Sequence, residues 1–190
     1  MSQGEKAEKT GEKTSTRKEI LSMLIYIAVV LIFTFLVVRY VGQRTQVSGS
    51  SMYPTLHDND NLIVDKLSYR FKDPERFDII VFPFQYKEET YYIKRIIGLP
   101  GETVQIKEGI IYINGEVLDE DYGREVIERS GLAAEEIQLK EDEYFVMGDN
   151  RNASSDSREP SVGNIKRKDI IGRAFIRIWP FSRFGILKHQ

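Results

Sequence analysis

The chain contains no cysteine, only two histidines, and no clustering of its basic residues on one face. Without cysteine there is neither a disulfide framework nor a thiolate metal site. The scarcity of histidine bears on catalysis, because a Ser-His-Asp triad needs an imidazole held by packing and oriented by a carboxylate. His57 lies in the polar turn His57-Asp58-Asn59-Asp60-Asn61, and His189 is one residue from the end; neither position suits that role. A formal net charge of −2, with Lys and Arg scattered among acids, gives no electrostatic footprint for nucleic acid. No phosphate-binding Gly-x-x-x-x-Gly-Lys-Ser/Thr loop and no His-Glu-x-x-His zinc helix occurs. Asp58, Asp60 and Asp65 lack the glycine and terminal glutamate of a calcium loop and read as turn residues. The sequence therefore implies no cofactor and no metal, and it shows no internal repeat.

What is present begins with a membrane signal. The length of 190 residues suits one domain with accessory segments. Residues 1–19 are mostly Lys, Glu, Ser, Thr and Gly, too polar to offset the entropy of ordering, so a disordered tail is expected. Residues 20–38 are almost entirely apolar; nineteen residues at about 1.5 Å each span about 28 Å as a helix, the thickness of a bilayer core. A cleavable leader would be shorter and end in a small-x-small site, whereas this run leaves through Val37-Val38-Arg39-Tyr40-Val41. Lys6, Lys9, Lys13, Arg17 and Lys18 precede the span and only Arg39 and Arg44 follow closely. The positive-inside rule then keeps the N-terminus cytoplasmic and puts residues 39–190 outside.

That outer part reads as mainly β. Asn61–Asp65, Asp78–Phe82 and Tyr91–Ile97 are short apolar runs between polar clusters. Glu108-Gly109 and Asn114-Gly115 suit two-residue turns between Thr103–Lys107, Ile110–Ile113 and Val117-Leu118. A short helix is expected over 124–129, strands over Tyr144–Met147 and 170–179, and a polar loop over 148–158. Together these predict an antiparallel sheet or barrel-like domain behind one transmembrane helix.

Three places carry possible chemistry. Ser51 lies between a flexible Gly49 and a rigid Pro54; on local grounds it serves equally as a solvated or capping serine. Lys94 shares a strand face with Tyr92 and Ile96, opposite Ile93, Arg95 and Ile97. Burial there would lower its pKa, while the alternative is a side chain that snorkels to solvent. The loop Gly148-Asp149-Asn150-Arg151-Asn152-Ala153-Ser154-Ser155-Asp156-Ser157-Arg158 is either a polar turn or a hydrogen-bonded scaffold. In the second case Ser154 Oγ would hold Lys94, and Asp149, Arg151, Asp156 and Arg158 would form ion pairs.

In combination these blocks resemble the type I signal peptidases. Ser51-Met52-Tyr53-Pro54-Thr55-Leu56 is similar to that family's nucleophile motif, and Asp78–Phe82 to the strand that follows. Tyr92-Ile93-Lys94-Arg95-Ile96-Ile97-Gly98-Leu99-Pro100-Gly101 is similar to its lysine motif, and Gly148–Arg158 to its Gly-Asp-Asn-Arg…Ser-x-Asp-Ser-Arg signature. The single span resembles many Gram-positive members. The resemblance implies Ser51 as nucleophile, Lys94 as general base and Ser154 as the residue orienting the Lys94 amine. It also implies Asp149, Arg151, Asp156 and Arg158 as supports, and the Ser51 backbone N–H as an oxyanion donor. Some members carry a second donor serine where this chain has Gly49, with Ser48 and Ser50 one position away. A family glycine is replaced by Phe77. The implied substrates are secretory preproteins, cut after small side chains held in shallow apolar pockets, for which positions near Met52 and Ile96 are candidates. Phe82-Pro83-Phe84 and Trp179-Pro180-Phe181 are candidates for resting on the lipid bilayer. The alternative is an inactive, membrane-anchored relative acting as an adaptor.

Overall fold

A computed structural model describes residues 4–36, 42–123 and 125–187. They fall into two compact units, Met1–Val41 and Gly42–Gln190. The first holds one helix, α1 (Gly4–Leu36). Its stretch from Arg17 to Leu36 is long and apolar enough to cross a membrane, and its side chains are exposed all round within the chain, the pattern of a helix solvated by lipid. The helix starts at Gly4, inside the segment for which composition predicted no regular structure. Glu, Lys and Ala there are good helix formers, and extending a helix already nucleated by the apolar run is far easier than starting one. Val37 and Val38 of the expected span lie outside the described residues.

The second unit is built from antiparallel β-strands: β1 (Gly42–Gln46), β2 (Asn61–Asp65), β3 (Ile79–Pro83), β4 (Tyr91–Gly98), β5 (Thr103–Lys107), β6 (Ile110–Ile113), β7 (Glu116–Val117), β8 (Ile137–Gln138), β9 (Glu143–Met147), β10 (Ile165–Lys166), β11 (Gly172–Trp179) and β12 (Gly185–Ile186). Among the described residues they make two sheets. The larger runs β1-β2-β11-β3-β4-β9-β10 with β12 added to β11, and the smaller runs β7-β6-β5-β8. The expected turns form as read. Glu108 and Gly109 (φ 51° and 79°) join β5 to β6, and Asn114 and Gly115 (φ 52° and 80°) join β6 to β7. Paired left-handed residues match the right-handed twist of the strands they connect.

β4 is the strand that organises the domain. Its last six residues are all buried. Ile93 enters one apolar cluster with Met52, Leu56, Leu62, Val64, Ile79 and Val81. Ile97 enters a second with Val104, Ile106, Ile111, Leu139 and Phe145, and Ile96 a third with Ile80, Phe82, Tyr144 and Val146. The strand thus passes from the core of the large sheet into that of the small one, and Lys94 and Arg95 sit where the cores meet. Where β4 leaves the large sheet, Gly98 packs so tightly that a Cβ would stand 2.5 Å from Val104 Cγ2 and 2.8 Å from Leu139 Cδ1.

Two expectations need correction. Residues 125–129 are not helical, and Arg124 lies outside the described residues; the segment instead reaches a short 3-10 turn at Gly131–Ala134. Its backbone groups bond to the 148–158 loop rather than to one another: Asn152 Oδ1 accepts the Glu128 N–H, Asn152 Nδ2 donates to Val126 O, and Arg158 Nη1 donates to Arg129 O. Phe82, a candidate for lipid contact, is core.

Gly98→Ala is expected to destabilise the second unit by about 1–3 kcal/mol through overpacking. Chemical denaturation of the purified protein measures this, and an unchanged midpoint would mean the two cores are not tightly joined at Gly98.

Candidate active site

The serine loop is shaped by its apolar neighbours. Met52 and Leu56 are buried in the first cluster and pull the chain into a helical turn, with Tyr53 N–H donating to Ser50 O and Leu56 N–H to Met52 O. Gly49 adopts φ +91°, a left-handed conformation that favours glycine, and its N–H donates to Asp58 Oδ1. Beneath the turn Asp60 is fully buried and takes Arg177 and Arg183 as partners at 3.3 and 2.8 Å. Asp65 accepts the N–H groups of Leu67 and Ser68. These two aspartates brace turns, as the sequence suggested.

Lys94 reaches the serine. Its side chain is only 3 % exposed, and Nζ donates to Ser51 Oγ at 2.7 Å. Burial pushes the Lys94 ammonium down to about 8, against the opposing pull of Asp156, Asp149 and Glu159. The amine also lies 5.1 Å from the centre of the Tyr92 ring. The snorkelling alternative is thereby excluded.

The 148–158 loop closes over both residues. Asn150 N–H donates to Ser51 O at 3.0 Å, and Asn150 Nδ2 donates to Ser50 O at 3.1 Å. Gly148 is required by proximity, since a Cβ there would stand 2.3 Å from Ser51 O and from Ser154 Oγ. Asp149 accepts two hydrogen bonds from the fully buried Arg95, at 2.8 and 2.6 Å. Asp156 is paired with Arg158 and accepts the Gly148 N–H, and Arg151 forks onto Glu120. The expected ion pairs therefore exist, but Asp149 and Arg151 pair outside the loop. Ser154 departs from expectation: its Oγ is buried without a hydrogen-bond partner, and the contact with Lys94 is not made.

An open groove of about 610 Å³ runs past the pair. Its walls include Gln46 to Met52 on one side, Tyr91 to Lys94 on the other, and Ala153 and Ser155 from the loop. Val47, Met52 and Ile93 supply apolar surface, whereas Ile96 lies in the core and does not reach it. His57 packs edge-on against Tyr53 at 5.0 Å and is not part of the groove; His189 lies outside the described residues. Among the described residues no group of three or more side chains is placed to hold a metal ion.

The signal peptidase family, peptidase S26, matches residues 18–179. The chain belongs to this family. It is 42% identical over 153 residues to a probable signal peptidase I-2 of Synechocystis, covering 78% of this chain and 68% of that one. It is 40% identical over 157 residues to the signal peptidase I of Bacillus caldolyticus, covering 77% and 84%. A solved signal peptidase I from Enterococcus faecalis V583 is 38% identical, with a TM-score of 0.46, 54% of this chain covered and 97% of that chain. Membership makes the protein a peptidase, and α1 supplies a membrane anchor of the kind its composition predicted.

Sequence reasoning passed over Arg95, Glu120 and Tyr122. Arg95 faces the same side as Ile93 and Ile97, and a buried arginine demands a carboxylate, so this partner was open to inference. Tyr122, whose ring centre stands 3.5 Å from Arg95 Cζ, left no signal in a stretch without periodicity. Phe77 occupies a left-handed φ of 71°, a strained conformation for a side chain that stands where the family resemblance places a glycine. It is held by Arg95 Nη1 donating to its carbonyl at 2.8 Å and by packing on Tyr122.

Because the folded pKa of Lys94 is depressed from its ordinary 10.5 to about 8, the unfolded chain binds more protons between those values. Stability thus rises as pH climbs through that window. Lys94→Met should be more stable than the parent at pH 7, by up to about 3 kcal/mol, with the difference shrinking towards pH 10.5. Thermal unfolding across pH checks this; a variant no more stable at pH 7 would show that the buried amine carries no desolvation penalty.

Proposed function

We propose that this protein is a membrane-anchored endopeptidase that removes signal peptides from secretory preproteins through a Ser51–Lys94 dyad. The observation that carries the reading is the 2.7 Å contact between Ser51 Oγ and a buried lysine whose pKa falls to about 8. When Lys94 is neutral the contact reverses, and the Ser51 O–H donates to the amine lone pair. Lys94 takes this proton as Ser51 Oγ attacks the scissile carbonyl, and the resulting oxyanion lies towards the Ser51 N–H. The ammonium then protonates the departing amine, which leaves as the mature protein's N-terminus, and the signal peptide remains as an ester on Ser51. Water gives a proton to Lys94 and attacks that ester, releasing the signal peptide as its acid and restoring Ser51.

The groove suits an extended chain. Residues 91–94 of β4 pair with β3 on one edge, while pairing with β9 begins only at Arg95, so the other edge is open to a peptide strand. Shallow apolar walls at Val47, Met52 and Ile93 favour small side chains before the cut. Ser48, Gly49 and Ser50 line the same groove. The charge asymmetry around α1 supports a cytoplasmic N-terminus and an external peptidase unit. Trp179, Phe181, Phe184 and Ile186 are all at least half exposed, and Trp179 and Phe181 stack edge to face at 4.9 Å, an apolar face suited to a lipid surface. A hydrogen-bonded Ser51 and Lys94 lend nothing to the adaptor alternative.

Ser51→Ala and Lys94→Ala should each lower cleavage of a preprotein by at least about 10³-fold, and parent activity should climb as pH rises through about 8. Full activity in Lys94→Ala would remove the proposed base. The double variant Trp179→Ala/Phe181→Ala should slow cleavage of a bilayer-embedded preprotein while a soluble peptide is cut at the parent rate. Equal effects on both substrates would refute the lipid-facing role.

A further inference from the structure

The segment 119–132 leaves the small sheet after β7 and returns through the Gly131–Ala134 turn before β8. Among its described residues there is no regular structure before that turn, and a connection of this length in a compact domain calls for a reason. Its contacts reach three arginines, Arg95 of β4 and Arg158 and Arg151 of the 148–158 loop. Tyr122 lies over the Arg95 guanidinium at 3.5 Å, Arg129 O accepts from Arg158 Nη1 at 3.1 Å, and Leu132 N–H donates to Arg158 O at 2.9 Å. Glu120 holds Arg151 of the same loop through both terminal nitrogens.

Arg95 and Arg158 have a shared property. Lys94 contacts the Tyr92 ring and the Ser51 hydroxyl and feels the charges of Asp156, Asp149 and Glu159. Each of the three carboxylates favours the ammonium and so opposes a basic amine. Arg95 neutralises Asp149 and Arg158 neutralises Asp156, both by two-point contacts. We propose that the 119–132 segment is a positioning element for the general base, clamping the two arginines that screen Lys94 from its neighbouring carboxylates.

This inference rests on the serine–lysine reading above. Tyr122 lies against the Arg95 guanidinium and no described residue of 119–132 lines the substrate groove, so its effect on the dyad runs through Arg95. Without its ring, water enters beside the ion pair, Asp149 moves, and more of its charge reaches Lys94. Asn150, the next residue, carries the bonds to Ser50 and Ser51, so the same movement disturbs the nucleophile.

The test compares the parent, Tyr122→Leu and Tyr122→Phe in the full-length detergent-solubilised protein, with a signal-peptide substrate followed across pH. Tyr122→Leu is expected to lower kcat by about tenfold, to leave KM unchanged, and to move the acid limb of the pH profile upwards. Tyr122→Phe keeps the ring and should restore both kcat and the acid limb. A purely structural role would lower the melting temperature and leave the acid limb in place, which overturns the proposal. So does a Tyr122→Phe variant that behaves like Tyr122→Leu. Where Tyr122→Leu does not fold, Tyr122→Met, which keeps the bulk without the ring, decides on the same criteria. Ser51→Ala assayed in parallel separates the two readings. An active Ser51→Ala removes the dyad itself, while an inert one beside a Tyr122→Leu variant of parental kcat and pH profile removes only the clamp.

Discussion

The buried pair of Arg95 and Asp149 is the contact on which the rest of the site depends. Lys94 and Arg95 are adjacent on one strand and both are almost fully withdrawn from water, yet they are handled in opposite ways. Arg95 receives a bidentate carboxylate and stays charged, as a guanidinium must. Lys94 receives a hydroxyl and is left to lose its proton. The same Asp149 that compensates one cation would, if unpaired, restore charge to the other. Holding Asp149 on Arg95 therefore keeps the 148–158 loop attached to β4 and keeps its charge away from the lysine.

Pairing of this kind is not a source of net stability, since burying two ions costs about as much as their attraction returns. Its value here is geometric. Asp149 sets the start of a loop whose next residue bonds to the carbonyls of Ser50 and Ser51, and whose Gly148 leaves no room between that loop and Ser51. The positive φ at Phe77 shows the same priority, because a strained backbone is tolerated where its carbonyl supports Arg95. Under the proposed Ser51–Lys94 dyad, the buried Lys94 is similarly a stability cost accepted for chemistry.

Much of this was legible in the chain. Short apolar runs between polar clusters located most of the principal strands, and Glu108-Gly109 and Asn114-Gly115 announced their turns because few other residues accept two successive left-handed conformations. The lone apolar run of α1 announced an anchor. Ser51, Lys94 and the polar loop were marked by residue type and by resemblance. The N-terminal start of α1 was missed because composition reports burial, not the ease with which a nucleated helix extends. The helix expected over 124–129 is not formed by residues 125–129 because backbone groups there bond to Asn152 and Arg158, which no local pattern records.

The places of most principal strands, the apolar helix and the absence of a histidine suited to a triad were determined by sequence alone, since they follow from side-chain chemistry and short-range patterning. Resemblance to a family marked Ser51 and Lys94 as the nucleophile and base candidates. Tertiary structure decided what those residues can do. Whether Lys94 is solvated or basic depends on three cores meeting at β4, and whether Asp149 charges or spares it depends on Arg95 beneath the Tyr122 ring. Desolvation and charge pairing are properties of neighbours far apart in the chain, and only the fold brings them together.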